Sequence, residues 1–206
     1  MSSKKIYLIR HGQTDFNLKG IVQGSGIDSS LNEMGRRQAS AFYNFYSKLP
    51  FDHVYTSVLK RSIESVQSFL DNGSRHSALS GLNEINWGSK EGQNITPQED
   101  AYYHWLLKEW QKGHTELPIE GGESPVDVAA RQREAIEVMM QQADEKTVLV
   151  CMHGRAIRII LCQLLNYPLH AMDVFEHRNL GLYQLHYSGR MWQVERYNDA
   201  THLARM

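Results

Sequence analysis

The sequence predicts an α/β domain with a mostly parallel central sheet covered by helices on both faces. Three observations carry that expectation. Short apolar runs without alternation, such as Ile6-Tyr7-Leu8-Ile9, describe strands buried on both sides. Between them lie stretches whose apolar residues recur at helical spacing. The two kinds alternate along the chain, the pattern of parallel strands joined by helical crossovers.

Ile6–Ile9 is the first strand, and a helix beginning near Asn32 follows with Ala39, Phe42, Tyr43 and Tyr46 on one face. His53-Val54-Tyr55 gives a second, weaker strand. Leu59, Ile63, Val66 and Leu70 mark one helix, ending near Asp71-Asn72-Gly73. Thr96-Pro97, with Glu99 and Asp100 behind it, reads as a helix start: a threonine cap with acids in the first turn. The stretch 96–117 carries Tyr102, Tyr103, Trp105 and Trp110, which suit either the core or a small helical lid over a pocket. Val126, Ala129, Ala130, Ile136, Met139 and Met140 mark a long helix. Thr147–Cys151, rich in β-branched residues, is a strong strand. Ile157, Ile160, Leu161 and Leu164 place a helix directly after it. The segment from Tyr183 to Tyr197 reads as a hairpin turning at Ser188-Gly189, which adds antiparallel pairing at one side.

A chain of 206 residues fits one domain over 1–206, with 96–117 as a lid segment. A formal net charge of −1 argues against a nucleic-acid partner, since no excess of Lys and Arg exists to displace counterions. No apolar run approaches the ~20 residues of a membrane span. The run after Lys4 and Lys5 is too short for a signal peptide, so the expected location is the cytoplasm. Cys151 and Cys162 lie in apolar surroundings and read as buried thiols of a reducing compartment. The ten histidines show no metal-ligand spacing, and His170, Asp173, Glu176 and His177 complete no ligand pattern, so no metal is expected.

Three strand-like runs end alike. Ile6–Ile9 stops at Arg10-His11-Gly12, the Val54 run reaches Thr56-Ser57 and then Arg61, and the Val148 run reaches Met152-His153-Gly154. The ends of neighbouring parallel strands converge on one crevice, so Arg10, His11, Arg61 and His153 are expected to meet. Gly12 and Gly154 allow close backbone approach there, and the helix after Gly154 aims its free N–H groups at the same spot. Cations gathered in this way repel one another unless an anion joins them, and arginine donates in pairs to phosphate oxygens. The competing explanation is structural: histidines hydrogen-bonded at strand ends, and a solvated arginine.

Leu8-Ile9-Arg10-His11-Gly12-Gln13-Thr14 with Asn17 resembles the signature of the histidine phosphatase superfamily, in its phosphoglycerate mutase-like branch. Five further blocks recur in the family's order: Leu31–Ala39, Thr56–Ser65, Leu82–Gly88 with Glu91-Gly92, Gly122-Glu123-Ser124, and Met152-His153-Gly154 with Asn179. The resemblance runs from about Lys5 to about Leu185 and implies a three-layer phosphoglycerate mutase-like sandwich. It implies that neutral His11 attacks phosphorus, with Arg10, Arg61 and His153 as cations that disfavour its protonation and stabilise the transferring group. It makes Glu84 the general acid and base, a role that favours a partly buried carboxylate. Pattern alone leaves Glu84 a solvated loop residue. Asn17, Gln23 and Gly154 become substrate contacts. No metal or other cofactor is implied. Arg155 departs from many relatives; it reads either as a solvated helix-start residue or as a reader of a second negative group. Lys90 also departs and suggests a more polar pocket wall, while Arg36-Arg37 reads as a solvated face. The partner implied is a small phosphorylated metabolite, with no nucleic acid and no membrane. A mutase and a non-catalytic binder are the alternatives to a phosphatase. The compact chain and its Ile21-Val22-Gln23-Gly24 stretch favour the phosphatase.

Overall fold

The computed structural model describes residues 3–94, 101–204 and 206. Strands β1 (Lys4–Arg10), β2 (His53–Thr56), β3 (His76–Ala78), β4 (Thr147–Met152), β5 (Leu182–Tyr187) and β6 (Trp192–Asp199) form one sheet in the order β3-β2-β4-β1-β5-β6. The pairs β2–β3, β2–β4 and β1–β4 are parallel, and β5 is antiparallel to both β1 and β6. The closing hairpin therefore supplies the antiparallel edge that the sequence predicts.

Helices α1 (Asp15–Lys19), α2 (Glu33–Tyr46), α3 (Lys60–Glu64), α4 (Gln67–Asp71), α5 (Ala101–Lys112), α6 (Pro125–Gln141) and α7 (Gly154–Leu165) complete the fold with short 3₁₀ turns. The unbroken apolar strands feed two cores. Ile6 and Leu8 of β1 join Val148 and Val150 of β4 beneath α6 and α7. Tyr7, Ile9, Leu149 and Cys151 point the other way, against Phe42 of α2 and Phe69 of α4. Alternate side chains leave opposite faces of a strand, so a strand apolar throughout must be covered twice. The result is three layers. Cys151 and Cys162 are free and buried.

Helix starts follow local chemistry. Asn32 Oδ1 accepts the Gly35 N–H at 2.9 Å, and Ser124 with Asp127 closes a capping box ahead of Pro125. The helix expected from Leu59 to Leu70 is instead two, α3 and α4. The Ser65 hydroxyl donates to the Arg61 carbonyl at 2.6 Å and accepts the Gly12 N–H at 2.8 Å, and the backbone leaves the helix at Val66. Bonding back onto its own turn, Ser65 competes with the helical ladder and ties it to the β1 exit. Strand β3 is a three-residue edge of polar character and carries no hydrophobic period to announce it. The expected start at Thr96-Pro97 lies outside the described residues. The aromatics of α5 divide: Trp110 is core, Trp105 is exposed, and Tyr103 packs near Trp87 with ring centroids 5.3 Å apart. Among the described residues no helix is long and apolar enough to cross a membrane.

Candidate active site

Register brings the strand ends together. Arg10 of β1 lies opposite Met152 of β4, and Thr56 of β2 opposite Cys151. The next residues, His11, His153 and Ser57, therefore share one rim, with the two imidazole centroids 5.1 Å apart. The loop after β1 is pressed against the first turn of α2. A Cβ on Gly12 would stand 2.7 Å from the Gly35 carbonyl oxygen, and one on Gly35 only 2.1 Å from that of Gln13. Gly12 thus serves close approach.

His11 is buried, and its Nδ1 lies 2.7 Å from the Gly12 carbonyl oxygen. A carbonyl only accepts, so Nδ1 carries the proton and Nε2 keeps its lone pair. Burial, followed by Arg61 and Arg10, holds the ring's pKa well below 6.5. The imidazole is neutral and its basic nitrogen is fixed. Asn179 Nδ2 donates to the His11 carbonyl at 2.9 Å and steadies the loop from the other side.

Arg61 and His153 lie beneath. The Arg61 Nε–H donates to His153 Nδ1 at 3.2 Å, so the proton of His153 sits on Nε2 and donates to Ser57 Oγ at 2.7 Å. The other Arg61 nitrogens donate to the carbonyls of Ile27 and Gly24. Burial and Arg61 also keep His153 well below 6.5. The sequence treats His153 as a cation; the structure makes it a neutral ring locked between Arg61 and Ser57. Arg10 and Arg61 remain the cations of this group. Arg10 donates through Nη1 to His177 Nδ1 at 3.3 Å, while its buried Nε has no partner.

Glu84, 7% exposed, caps α7 in place of the free N–H groups anticipated for a ligand. Oε1 accepts from Ile85 and Ala156, at 3.0 and 2.9 Å, and among the described residues Oε2 accepts only from Arg155, at 3.1 Å. Its solvated-loop reading therefore fails and its expected burial holds. Arg131, which the sequence did not single out, builds the Glu84 loop. It donates to the carbonyls of Gly81, Asn83 and Glu84 and grips both carboxylate oxygens of Glu123.

A cleft of about 200 Å³ opens over this floor. Arg10, His11, Asn17, Gln23, Glu84, Gly154 and Arg155 line it with Ile21, Val22, Trp87, Tyr103 and His177; Arg61 and His153 do not. Asn17 closes the α1 capping box with Thr14, and its Oδ1 accepts from Asn179. Gln23 Oε1 accepts from Thr14 and Ser29, leaving its amide N–H groups as what it can offer. Gly154 makes room for His177, whose ring atoms would stand 2.8 Å from a Cβ there. Burial and the arginines around it push His177 down to about 3. Its place in the site went unseen because nothing local distinguishes it; its only sequence signal is a position two residues before Asn179.

Arg155 is not a solvated helix-start residue. Nη1 donates to Asp173 at 2.6 Å, and its guanidinium lies 5.8 and 5.7 Å from the ring centroids of Trp87 and Trp110. Lys90 is not among the lining residues and stands over Tyr102 instead. Arg36 and Arg37 are exposed, as expected. A larger groove of about 420 Å³ between α6 and the hairpin is mostly apolar and holds none of these groups. Among the described residues no three His, Cys, Asp or Glu side chains gather as a metal site would require.

Comparison with known proteins agrees with this architecture. A protein of Serratia proteamaculans named probable phosphoglycerate mutase GpmB is 29% identical over 97% of this chain and 94% of its own. A Hydrogenobacter thermophilus protein provisionally named phosphoserine phosphatase 2 is 26% identical over 98% of this chain and 99% of its own. The solved structure of a mycobacterial glucosyl-3-phosphoglycerate phosphatase matches with a TM-score of 0.83 at 25% identity, covering 96% of this chain and 100% of that one. The profile of the histidine phosphatase superfamily (branch 1) matches residues 6–200, and the chain belongs to that superfamily.

Proposed function

We propose that the protein is a phosphatase that hydrolyses the phosphomonoester of a small metabolite through a phosphohistidine on His11. The observation that carries this reading is the tautomer of His11: a buried neutral ring with Nδ1–H engaged by Gly12 and Nε2 left basic. Nε2 attacks phosphorus as the bond from phosphorus to the ester oxygen breaks. Glu84 protonates the departing alkoxide; its Oε2, with one N–H partner against two on Oε1, is the oxygen with room for that proton. Glu84, now a carboxylate, takes a proton from water as the oxygen attacks the phosphoenzyme. Inorganic phosphate leaves and neutral His11 is restored. Arg10, with Nε unpartnered, suits the phosphoryl oxygens, and Asn17 and Gln23 supply amide donors. Arg61 and His153 act from below, Arg61 by keeping His11 unprotonated and His153 by holding Arg61 in place. The two buried thiols fit a reducing compartment, and the proposal includes a cytoplasmic location.

The names of relatives divide between phosphatase and mutase, and one assay separates the readings. Phosphate release is followed from a panel of phosphorylated metabolites with EDTA present. The 3-phosphoglycerate reactions are also assayed for 2-phosphoglycerate, with 2,3-bisphosphoglycerate as primer. The proposal expects metal-independent release from one or a few compounds. Isomerisation outrunning release would make the protein a mutase, and silence in both channels would favour a binding role.

A further inference from the structure

Asp173, from the 3₁₀ turn Leu169–Val174, accepts from Arg155 Nη1 and also from Arg158 Nη1, both through Oδ1. One carboxylate thus answers two guanidiniums, leaving the group one positive charge in excess. Gln111 Nε2 of α5 donates to the other oxygen at 3.2 Å, so Asp173 is fixed from two sides. The Nε of Arg158 is buried without a partner. Of the two arginines only Arg155 reaches the cleft, where it is 9% exposed and stacked near Trp87 and Trp110. As a mere strut between α7 and the 169–174 turn, Arg155 would duplicate Arg158, which bonds the same oxygen.

We infer that Arg155 is a specificity-determining residue that receives a carboxylate on the substrate, so that the substrate class is a small phosphomonoester carrying a carboxylic acid. The inference rests on the phosphatase reading for the phosphate end of the cleft. Among the described residues, the charged ones lining the cleft are Arg10, Arg155 and Glu84. Arg10 faces the phosphoryl group and Glu84 is taken up by the backbone N–H groups of Ile85, Arg155 and Ala156, so among the described residues of the cleft the Arg155 guanidinium is left without an anion of its own. A carboxylate matches the guanidinium fork and the single excess charge, and a cleft of about 200 Å³ suits a small compound. Asp173 and the two indoles position the fork in advance, so little side-chain freedom is lost on binding.

The test uses matched pairs that differ by the carboxylate: O-phosphoserine against O-phosphoethanolamine, and 3-phosphoglycerate against glycerol 3-phosphate. Calorimetry on His11→Ala measures binding without turnover, and phosphate release from the wild type is followed in parallel. The acid of each pair should bind about tenfold tighter or better, and adding Arg155→Gln should bring that ratio to about two or less. Arg155→Lys, which keeps the charge and loses the fork, should retain part of the preference even if Arg155→Gln folds poorly. Equal binding of the two members in His11→Ala, or an acid preference that survives Arg155→Gln, would overturn the inference. An acid preference in binding with no phosphate release from any member of the pairs would uphold the subsite while counting against the phosphatase reading.

Discussion

Gly12 lends its carbonyl to the proton of His11, and that single contact decides which nitrogen can attack. Glu84 is held with equal definition, but its partners come from α7 and from its own loop rather than from β1. If Oε2 carries the proton that the leaving alcohol needs, Glu84→Gln should cost about 10²- to 10⁴-fold in kcat on alkyl phosphates. The loss on p-nitrophenyl phosphate should be far smaller, because that leaving group departs unprotonated. A uniform loss across both substrates would remove the general-acid role. Arg10, His11, Arg61 and His153 were legible because each terminates, or closely follows, a strand that reads as buried. Glu84 was legible only through its family block, since its environment is made by residues some seventy positions away in Arg155 and Ala156. His177 and Arg131 act through contacts of comparable reach and left no local pattern to find.

Between strands, the site depends on segments that only the folded chain brings together. The split of α3 from α4 places Ser65 under Gly12 while Arg61 reaches His153. Helical spacing predicted one continuous helix because Leu59, Ile63, Val66 and Leu70 keep the period across a break that a hydroxyl imposes. Arg131 of α6 is the corresponding support for the Glu84 loop, with three backbone carbonyls and one carboxylate as partners. Replacing it by Met should destabilise the protein by about 2 kcal/mol, since those carbonyls lose their donor. It should also lower kcat more on alkyl phosphates than on p-nitrophenyl phosphate, as Glu84 drifts from the cleft. Denaturant unfolding and the two kinetic assays check both parts. A variant that is less stable but keeps full kcat on both substrates would confine Arg131 to a structural role.

Burial makes the whole protein sensitive to acid through its histidines. His11, His153, His177 and His202 are all held below 6.5, chiefly by burial. In the unfolded chain each titrates near 6.5. Below that pH the unfolded chain takes up protons that the folded one refuses, so what these histidines contribute to stability is flat above it and falls as pH drops. For His177, held at about 3, the loss by pH 5 is about 2 kcal/mol. Unfolding midpoints between pH 7.5 and 5 should fall for the wild type and fall less for His177→Gln; an unchanged slope in the variant would contradict this. The layer order and the closing hairpin were readable because buried strands are apolar throughout and helices keep one apolar face. Strand β3 was not, because a short polar edge needs no hydrophobic period, and the division of Tyr103, Trp105 and Trp110 among pocket, surface and core depends on where α5 lies.

The attack of His11 on phosphorus is tested most directly by trapping the phosphoenzyme. Substrate labelled with ³²P, chosen from the metabolite panel, is mixed with enzyme and quenched in alkali within milliseconds. The protein should carry label that survives base and is lost in acid, on a peptide containing His11, and His11→Ala should carry none and turn nothing over. Phosphate release that persists in His11→Ala, or label that survives acid, would contradict it.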